Sequence, residues 1–396
     1  MFVQLHPREL GHVASVLWHY FVWLMFFCSL GFYSAAITAA LKFSRRSRKS
    51  SGPEFTPDVS MLKPVHGTDF GSTENFASFC TQNYPNYEIL FAASEETDPA
   101  LQIVRALIAE YPERKIRILT GAPFFGENRK VNNLALMARE ASHEIVVITD
   151  GDVRVGPDYL RNVVAPFADS MTGAVTNLYR GVVQPNTFAE IEALGAATDF
   201  AAGVLVAERR EGLNFALGAS IVTTKGWIQR IGGLEPIAQL LADDYELGRR
   251  VAAAGGEVLL SRDVVATMYP VRTLRAFWDH QLRWARTVRL CRPISYIGLI
   301  FTHGLPWAVL AALLAHTATT AAVCIGAYLL LRLSMAFAVG VRVLQDQTVR
   351  RRWWLIPLRD AVHFIVWLAS FASNRVTWGD TQFVMKNGQM VPVRNS

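Results

Sequence analysis

The sequence predicts an α/β domain with a mostly parallel sheet, set between membrane helices on its N-terminal and C-terminal sides. Between residues 59 and 265, short apolar runs alternate with amphipathic helical patterns, which is typical of strand and helix units that build a parallel sheet. Long apolar runs precede and follow this region. The hydrophobic content of 51% is high for a protein that is wholly surrounded by water.

The first apolar run predicts a membrane anchor. Residues 13–41 are almost uninterrupted apolar and exceed the roughly 20 residues that a spanning helix needs. The basic cluster of Lys42, Arg45 and Arg46 follows this run, whereas a cleaved signal peptide carries its charge before a shorter apolar core. We therefore expect an uncleaved anchor over residues 1–43 with a cytoplasmic C-terminal side, and a basic linker over residues 44–57.

Two further apolar runs, residues 296–315 and 319–341, predict a membrane hairpin over residues 294–343. Arginines flank both sides, which indicates cytoplasmic flanks. The last apolar stretch, 353–372 within residues 344–396, contains Arg359, Asp360 and His363, and each buried charge costs about 2.5 to 3.5 kcal/mol. We expect a re-entrant or surface helix there, with a full span as the alternative. Arg332 is expected to pack between helices or to reach the interface.

The central region, residues 58–270, reads as one domain. Runs at 59–65, 87–92, 116–119 and 145–149 predict strands, with a helix at 99–110. There is no dinucleotide-binding fingerprint, Walker A sequence or nucleic-acid motif, and the four cysteines show no spacing that indicates disulfides or zinc. The net charge of +6 lies mostly beside the apolar runs, which favours a membrane surface over nucleic acid as partner.

Asp150 and Asp152, in ITDGDVRV, follow a buried-looking strand. The carboxyl ends of parallel strands are where such sheets bind ligands. Two close carboxylates repel unless a cation neutralises them, and oxygen ligands suit Mg²⁺ or Mn²⁺ bridging to a diphosphate. The alternative is a polar turn without a ligand.

Three other motifs carry candidate chemistry. ENRKVNNL opens a helix with Lys130 and Asn132 in its first turn, which suits a phosphate or sugar, although asparagine there also serves as a cap. LADDYELG places Asp244 at the start of another helix, where an acid also simply favours the helix dipole. HQLRWAR, within residues 271–293, precedes the hairpin and also fits an interfacial amphipathic helix.

In this order, the motifs resemble those of the membrane-bound, inverting nucleotide-sugar glycosyltransferases of the ceramide glucosyltransferase type (families 2 and 21), relatives of the cellulose and hyaluronan synthases. Bacterial hopanoid N-acetylglucosaminyltransferases are similar as well. Further matching stretches are ASEETDPA, GASIVTTKGWIQRIGGLEPIAQLLADDYELG and TWGDTQFVMKNGQM. The resemblance implies a Rossmann-like GT-A domain facing the cytoplasm, in an integral protein of a membrane like the bacterial inner membrane.

The resemblance also implies roles for individual residues. Asp150 would bind the donor diphosphate and, with Asp152, a divalent metal (Mn²⁺ or Mg²⁺). Asp244 would be the catalytic base. Arg283 and Trp284 would close over the leaving diphosphate and the acceptor.

Other positions match the family less closely. Glu95 is the best match to the first family acid, on the uracil side, with Glu96 and Asp98 as alternatives. His280 stands where glutamine or arginine is usual, and Gln281 is adjacent. Lys130, Asn132 and Gln281 would join Glu95 and Asp150 in binding the donor.

The implied activity is transfer of a hexose from a UDP-sugar to a membrane lipid hydroxyl, with inversion to a β-glycolipid. UDP-glucose and ceramide are the expected substrates, and UDP-N-acetylglucosamine with a hopanoid polyol (bacteriohopanetetrol) is the alternative. A processive polysaccharide synthase and an inactive membrane scaffold are two further alternatives of different class.

Overall fold

The computed structural model describes residues 7–46, 55–378, 381–386 and 389–393. Residues 47–54 of the predicted basic linker lie outside the described residues. The strands are β1 Val59–Pro64, β2 Tyr87–Ala92, β3 Lys115–Leu119, β4 Ile145–Thr149, β5 Val153–Arg154, β6 Thr172–Val183, β7 Ser220–Thr224, β8 Glu257–Tyr269, β9 Arg375–Trp378, β10 Thr381–Lys386 and β11 Gln389–Pro392.

The helices of the described residues are α1 Pro7–Arg45, α2 Ser72–Cys80, α3 Ala100–Glu110, α4 Arg129–Glu140, α5 Tyr159–Val164, α6 Thr187–Gly195, α7 Ala201–Glu211, α8 Lys225–Arg230, α9 Asp243–Ala253, α10 Leu274–Cys291, α11 Pro293–Gly298, α12 Gly304–Leu313, α13 Ala318–Ala336, α14 Gln347–Arg352 and α15 Ile356–Ser370. A π-helical turn, Ala196–Phe200, joins α6 to α7. A second one, Phe337–Val343, extends α13.

The central sheet has eight strands in the order β3-β2-β1-β4-β7-β6-β8-β5. Strands β1 to β4 are mutually parallel. β7 is antiparallel to its neighbours β4 and β6, β8 runs parallel to β6, and β5 runs antiparallel to β8. The predicted α/β fold with a mostly parallel sheet is confirmed, and β5 and β7 are the reversed strands.

Both faces of the sheet are covered, which explains why the strands read as continuous apolar runs. Strands β1, β2 and β4 are buried along their whole length. Met61, Ile89 and Val147 belong to one apolar core, whereas their neighbours Leu62 and Leu90 belong to the other, because successive strand residues point to opposite faces.

The described residues include two helices that are long and apolar enough to cross a membrane, over Gly11–Arg45 and Ala318–Val343. Two helical segments, Pro293–Phe301 and Gly304–Leu313, are joined by a bend of 40° and would form a third span if they cross the membrane as one unit. Large apolar side chains of α1 are exposed, among them Leu17, Tyr20 and Phe27, as expected of a lipid-facing surface. The α1 helix also packs against α12 and α13, so the three elements form one bundle.

The helix at residues 353–372, which we expected to be re-entrant or superficial, is observed as α15 and is not among the candidate spans. Its charges have partners in other elements. Asp360 pairs with Arg332 of α13 at 2.7 Å, and Arg359 pairs with Asp199 of the first π-helical turn at 3.0 Å. Arg332 is fully buried and also pairs with Asp199 at 2.6 Å, so it packs between helices and does not extend to an interface.

Candidate active site

Asp150 lies where the ends of β1 and β4 meet the first turns of α4 and α9. Lys130, in the first turn of α4, places its Nζ 2.7 Å from Asp150 Oδ1 and 3.2 Å from Asp243 Oδ2. Lys63, near the end of β1, donates from Nζ to the main-chain oxygen of Asp150 at 2.7 Å. Two lysines therefore hold this acid, where the sequence had led us to expect only a metal ion as the neutralising cation.

The helix start that carries Lys130 is fixed by a conventional cap. The Asn128 side chain accepts from the Val131 N–H at 3.2 Å and donates to the Leu240 carbonyl at 2.9 Å. The second bond ties α4 to the segment that precedes α9. This link brings Lys130 and Asp243 together although they are far apart in the sequence.

Asp152 is the carboxylate whose surroundings best fit a bound cation. It forms no ion pair within 4 Å among the described residues, although its main-chain oxygen accepts from the Met268 N–H at 3.1 Å. Burial, and then the neighbouring Asp150, raise its pKa to about 7, against the lowering effect of Lys63 and Lys130. No group of three or more potential ligands occurs in the described part of the chain. Magnesium is commonly bound by one or two carboxylates together with substrate phosphates, so Asp150 and Asp152 fit a divalent ion that shares the donor diphosphate.

Asp244 begins α9 next to Asp243. Burial, and then Asp243, raise the pKa of the Asp244 carboxyl to about 6, while Lys130 opposes the shift. Gly218 leaves the approach to this carboxylate open, because a Cβ at that position would lie 2.9 Å from Asp244 Oδ2. A carboxylate with a pKa close to the working pH suits a general base.

The HQLRW motif lies on α10, whose first turn is capped by the Thr273 hydroxyl. The His280 ring lies 5.3 Å from the Trp284 ring, and Phe200 lies 6.5 Å from Trp284 on another side. Burial lowers the pKa of Arg283, and Glu192 opposes this. Glu192 also pairs directly with His280. Glu192 of α6 is thus the buried acid that interacts with the HQLRW motif, through His280 directly and through Arg283 electrostatically.

Tyr179 of β6 lies between the aspartates of the site and the α10 helix that carries the HQLRW motif. Burial raises its pKa, and the nearby carboxylates of Asp244, Asp150 and Asp152 raise it further. Its ring lies 5.3 Å from that of Phe200, which in turn contacts Trp284. The carboxylates of the predicted base and the predicted diphosphate ligand therefore act electrostatically on Tyr179, and Phe200 contacts the rings of both Tyr179 and Trp284.

The remaining predicted donor ligands have structural contacts as well. Asn132 accepts from the Phe125 N–H at 3.1 Å and donates to the Gly126 carbonyl at 2.9 Å, which braces the loop before α4. Gln281 is buried, and its Oε1 accepts from Arg359 at 2.6 Å. The donor contacts that the resemblance assigned to both residues stay predictions.

The three candidates for the first family acid differ in their surroundings. Glu95 is exposed and lies 3.9 Å from Arg129, the residue before Lys130. Glu96 lies 3.5 Å from the Thr120 hydroxyl. Asp98 is buried and accepts from the N–H groups of Gly67 and Ala100, so its oxygens hold the start of α3. Of the three, Asp98 is the one whose carboxylate is buried and hydrogen-bonded to the main chain, whereas Glu95 and Glu96 are both exposed.

Sequence reasoning missed three residues at this site, Lys63, Tyr179 and Glu192. Lys63 had a readable signal, a lone charge inside an apolar strand run. Tyr179 and Glu192 had none, since an aromatic in a strand and an acid in a helix are ordinary.

The sequence pattern of glycosyl transferase family 21 matches residues 22–391. The chain belongs to this family. The match includes α1 in large part, the whole central sheet and the C-terminal strands. The expected resemblance to ceramide glucosyltransferase-like enzymes is confirmed.

Individual relatives agree. Ceramide glucosyltransferase 1 of Caenorhabditis elegans is 28% identical over 231 residues, which is 58% of this chain and 49% of the relative. Ceramide glucosyltransferase of Komagataella phaffii is 32% identical over 147 residues, 36% of this chain and 28% of the relative. The chain thus spans about half, or less, of the length of these relatives. A solved mannosyltransferase from Pyrobaculum calidifontis, in complex with GDP-Man and Mn²⁺, is 18% identical with a TM-score of 0.48, covering 87% of this chain and 99% of that one.

Proposed function

We propose that the protein transfers a hexose from a UDP-sugar to a hydroxyl of a membrane lipid with inversion, and that UDP-glucose and ceramide are the substrates. The observation that carries the proposal is that Lys130 pairs with both Asp150 and Asp243, which brings the predicted diphosphate ligand to the start of the helix that carries Asp244. The family and the ceramide glucosyltransferases among its relatives support the choice of lipid. The hopanoid alternative has no comparable support.

The proposed step follows from the positions of the charges. The acceptor hydroxyl attacks the anomeric carbon and passes its proton to the Asp244 carboxylate, while the bond from that carbon to the diphosphate oxygen breaks and UDP leaves with the electron pair. Lys130 and the Arg283 guanidinium stabilise the negative charge that develops on the diphosphate. Trp284 covers the reacting atoms and excludes water. Attack from the side opposite the diphosphate converts an α-linked donor into a β-glycoside.

Asp150 and Asp152 would hold a divalent ion, Mn²⁺ or Mg²⁺. When bound, that ion supplies positive charge to the departing diphosphate. The unpaired state of Asp152 supports this assignment, and Lys130 and Lys63 keep Asp150 in place beside it.

The membrane elements support a lipid acceptor. The α10 helix, which carries Trp284, leads directly into α11 and α12. Basic residues follow α1 and flank the segment from α11 to α13, so we propose that the catalytic domain faces the cytoplasm.

The test is a transfer assay with membranes that contain the full chain. UDP-glucose and UDP-N-acetylglucosamine are each offered with ceramide and with a hopanoid polyol, and lipid products are identified by mass spectrometry. A β-glucosylceramide is the expected product. A water-soluble polymer would instead favour a processive synthase, and no product with any pair would favour an inactive scaffold.

A further inference from the structure

Beside the candidate site, Glu192 has one carboxylate oxygen without a partner. Its side chain is 1% exposed, and Oε1 pairs with His280 Nδ1. Oε2 is buried and has no hydrogen-bond partner in the described part of the chain. A buried carboxylate oxygen without a donor is costly, so a ligand group that donates to it would be bound favourably.

Tyr269, the last residue of β8, presents the complementary group. Its ring is buried, and its hydroxyl also lacks a partner among the described residues. Burial raises the pKa of this hydroxyl, and the nearby Tyr179 and Glu192 raise it further. The group therefore keeps its proton and is available as a hydrogen-bond donor.

The elements that carry the two groups pack together at Gly181 of β6. A Cβ at position 181 would lie 2.7 Å from Ala193 Cβ and 2.8 Å from Tyr269 Cε2. Ala193 directly follows Glu192, so the glycine allows this turn of α6 and the tyrosine ring to approach the same strand. Tyr269 thus packs beside the helical turn that follows Glu192, and the donor and the acceptor each lack a partner among the described residues.

One small chemical group satisfies both. An alcohol hydroxyl donates one hydrogen bond and accepts another, so it can donate to Glu192 Oε2 and accept from the Tyr269 O–H. A phosphate is a poor fit, because its negative charge is repelled by the Glu192 carboxylate. The preferred ligand is a neutral polyol or sphingoid headgroup.

The position of the pair also favours the acceptor over the donor. Glu192 pairs with His280, whose ring lies against Trp284. The α6 helix packs against α10 and α15, elements that adjoin the membrane bundle. Glu192 therefore lies on a helix that contacts both the HQLRW helix and α15.

We propose that Glu192 and Tyr269 form an acceptor subsite that binds a second hydroxyl of the lipid, the one that is not glycosylated. This inference rests on the proposed function and deepens it. His280 fixes Oε1 of Glu192, which leaves Oε2 directed to the ligand.

Direct binding tests the subsite without any transfer. Ceramide carries two hydroxyls, and its 3-deoxy analogue lacks the one that is not glycosylated. Binding of each lipid to the purified full chain in detergent is measured for the wild type, Glu192→Gln and Tyr269→Phe. The wild type should bind the deoxy analogue about 10- to 100-fold more weakly, and both variants should bind the two lipids about equally.

Matched controls are Glu190→Gln, on the same helix but paired with Arg352, and Tyr87→Phe, whose hydroxyl donates to the Cys80 carbonyl. Both should keep the wild-type preference. If Glu192→Gln does not fold, Tyr269→Phe, which removes a single oxygen, decides the question.

Two outcomes overturn the subsite. A wild-type preference that persists in both variants means that other groups recognise the second hydroxyl, and an equal loss of binding for both lipids means that the residues only support the fold. A transfer assay distinguishes failure of the subsite proposal from failure of the proposed function. Selective binding without any glycolipid product refutes the transferase proposal and leaves the subsite standing, whereas glycolipid formation with equal binding of both lipids refutes the subsite alone.

Discussion

Replacement of Asp244 by asparagine should abolish most transfer while making the fold more stable. The pKa of this carboxyl is about 6, against an ordinary value of 3.8, because it is buried beside Asp243. A pKa change of one corresponds to ~1.4 kcal/mol, so keeping Asp244 charged at pH 7 destabilises the folded state by at most about 3 kcal/mol. This figure is an upper limit because part of the side chain is exposed to solvent. Asparagine removes that charge at nearly the same volume.

The sign of the pH dependence follows. Because the folded pKa lies above the unfolded one, the contribution of Asp244 to stability is fully present below about pH 3.8 and is lost as the pH rises through about 6. Catalytic activity has the opposite pH dependence and rises with pH, because Asp244 accepts a proton only when it is deprotonated. The wild-type kcat/KM should fall about tenfold for each pH unit below 6.

Two assays check this prediction. The transfer rate in detergent should drop about 10²- to 10⁴-fold in Asp244→Asn, and the decrease of kcat/KM at acidic pH should disappear. The free energy of unfolding at pH 7, measured by denaturation, should rise by about 1 to 3 kcal/mol. Glu246→Gln, in the same helical turn but paired with Arg249 and Arg250, is the control and should lose stability, not gain it. Full transfer activity in Asp244→Asn would refute the assignment of the base.

Three other predictions concern the metal, the bundle and the loop before α4. Asp152→Asn should raise the Mn²⁺ concentration needed for half-maximal transfer at least tenfold, and chelator-treated wild-type membranes should regain activity with Mn²⁺ or Mg²⁺; full activity in chelator would refute the metal role. Arg332→Met leaves Asp360 without its ion-pair partner in the bundle and should destabilise the protein by about 3 to 5 kcal/mol in thermal unfolding, and an unchanged midpoint would contradict this. Gly126→Ala would place a Cβ 2.4 Å from the Ala238 carbonyl oxygen, so a loss of about 1 to 3 kcal/mol is expected, and wild-type stability would show that the loop yields freely.

The strands could be predicted closely because their signal is local. The run at 87–92 coincides with β2 and that at 145–149 with β4, since a strand buried on both faces must be apolar throughout. The reversed β7 was not predictable in the same way. Its direction depends on pairing with β4 and β6, and nothing within five residues encodes the choice of partner.

The residues of the candidate site likewise fall into those that local motifs predict and those that depend on contacts distant in sequence. Asp150, Asp152, Asp244, Arg283 and Trp284 were predicted from their motifs and their order in the chain, and their roles stay predictions until the variants are measured. Lys63 and Glu192 act through partners distant in sequence. Lys63 binds an oxygen 87 residues later, and Glu192 pairs with a histidine 88 residues later.

By itself, the sequence determined the family, the parallel α/β domain, the apolar helices beside it and the acids that follow its strands, because each of these is written in short runs of residue type. Only the tertiary structure decided how the charges are compensated. The Asp150 carboxylate pairs with Lys130, Arg332 pairs with Asp199 and Asp360, and Glu192 pairs with His280 through one oxygen alone. The physical reason is that a buried charge is stabilised by whichever groups the fold brings within a few ångströms, and those groups come from elements that no local pattern connects.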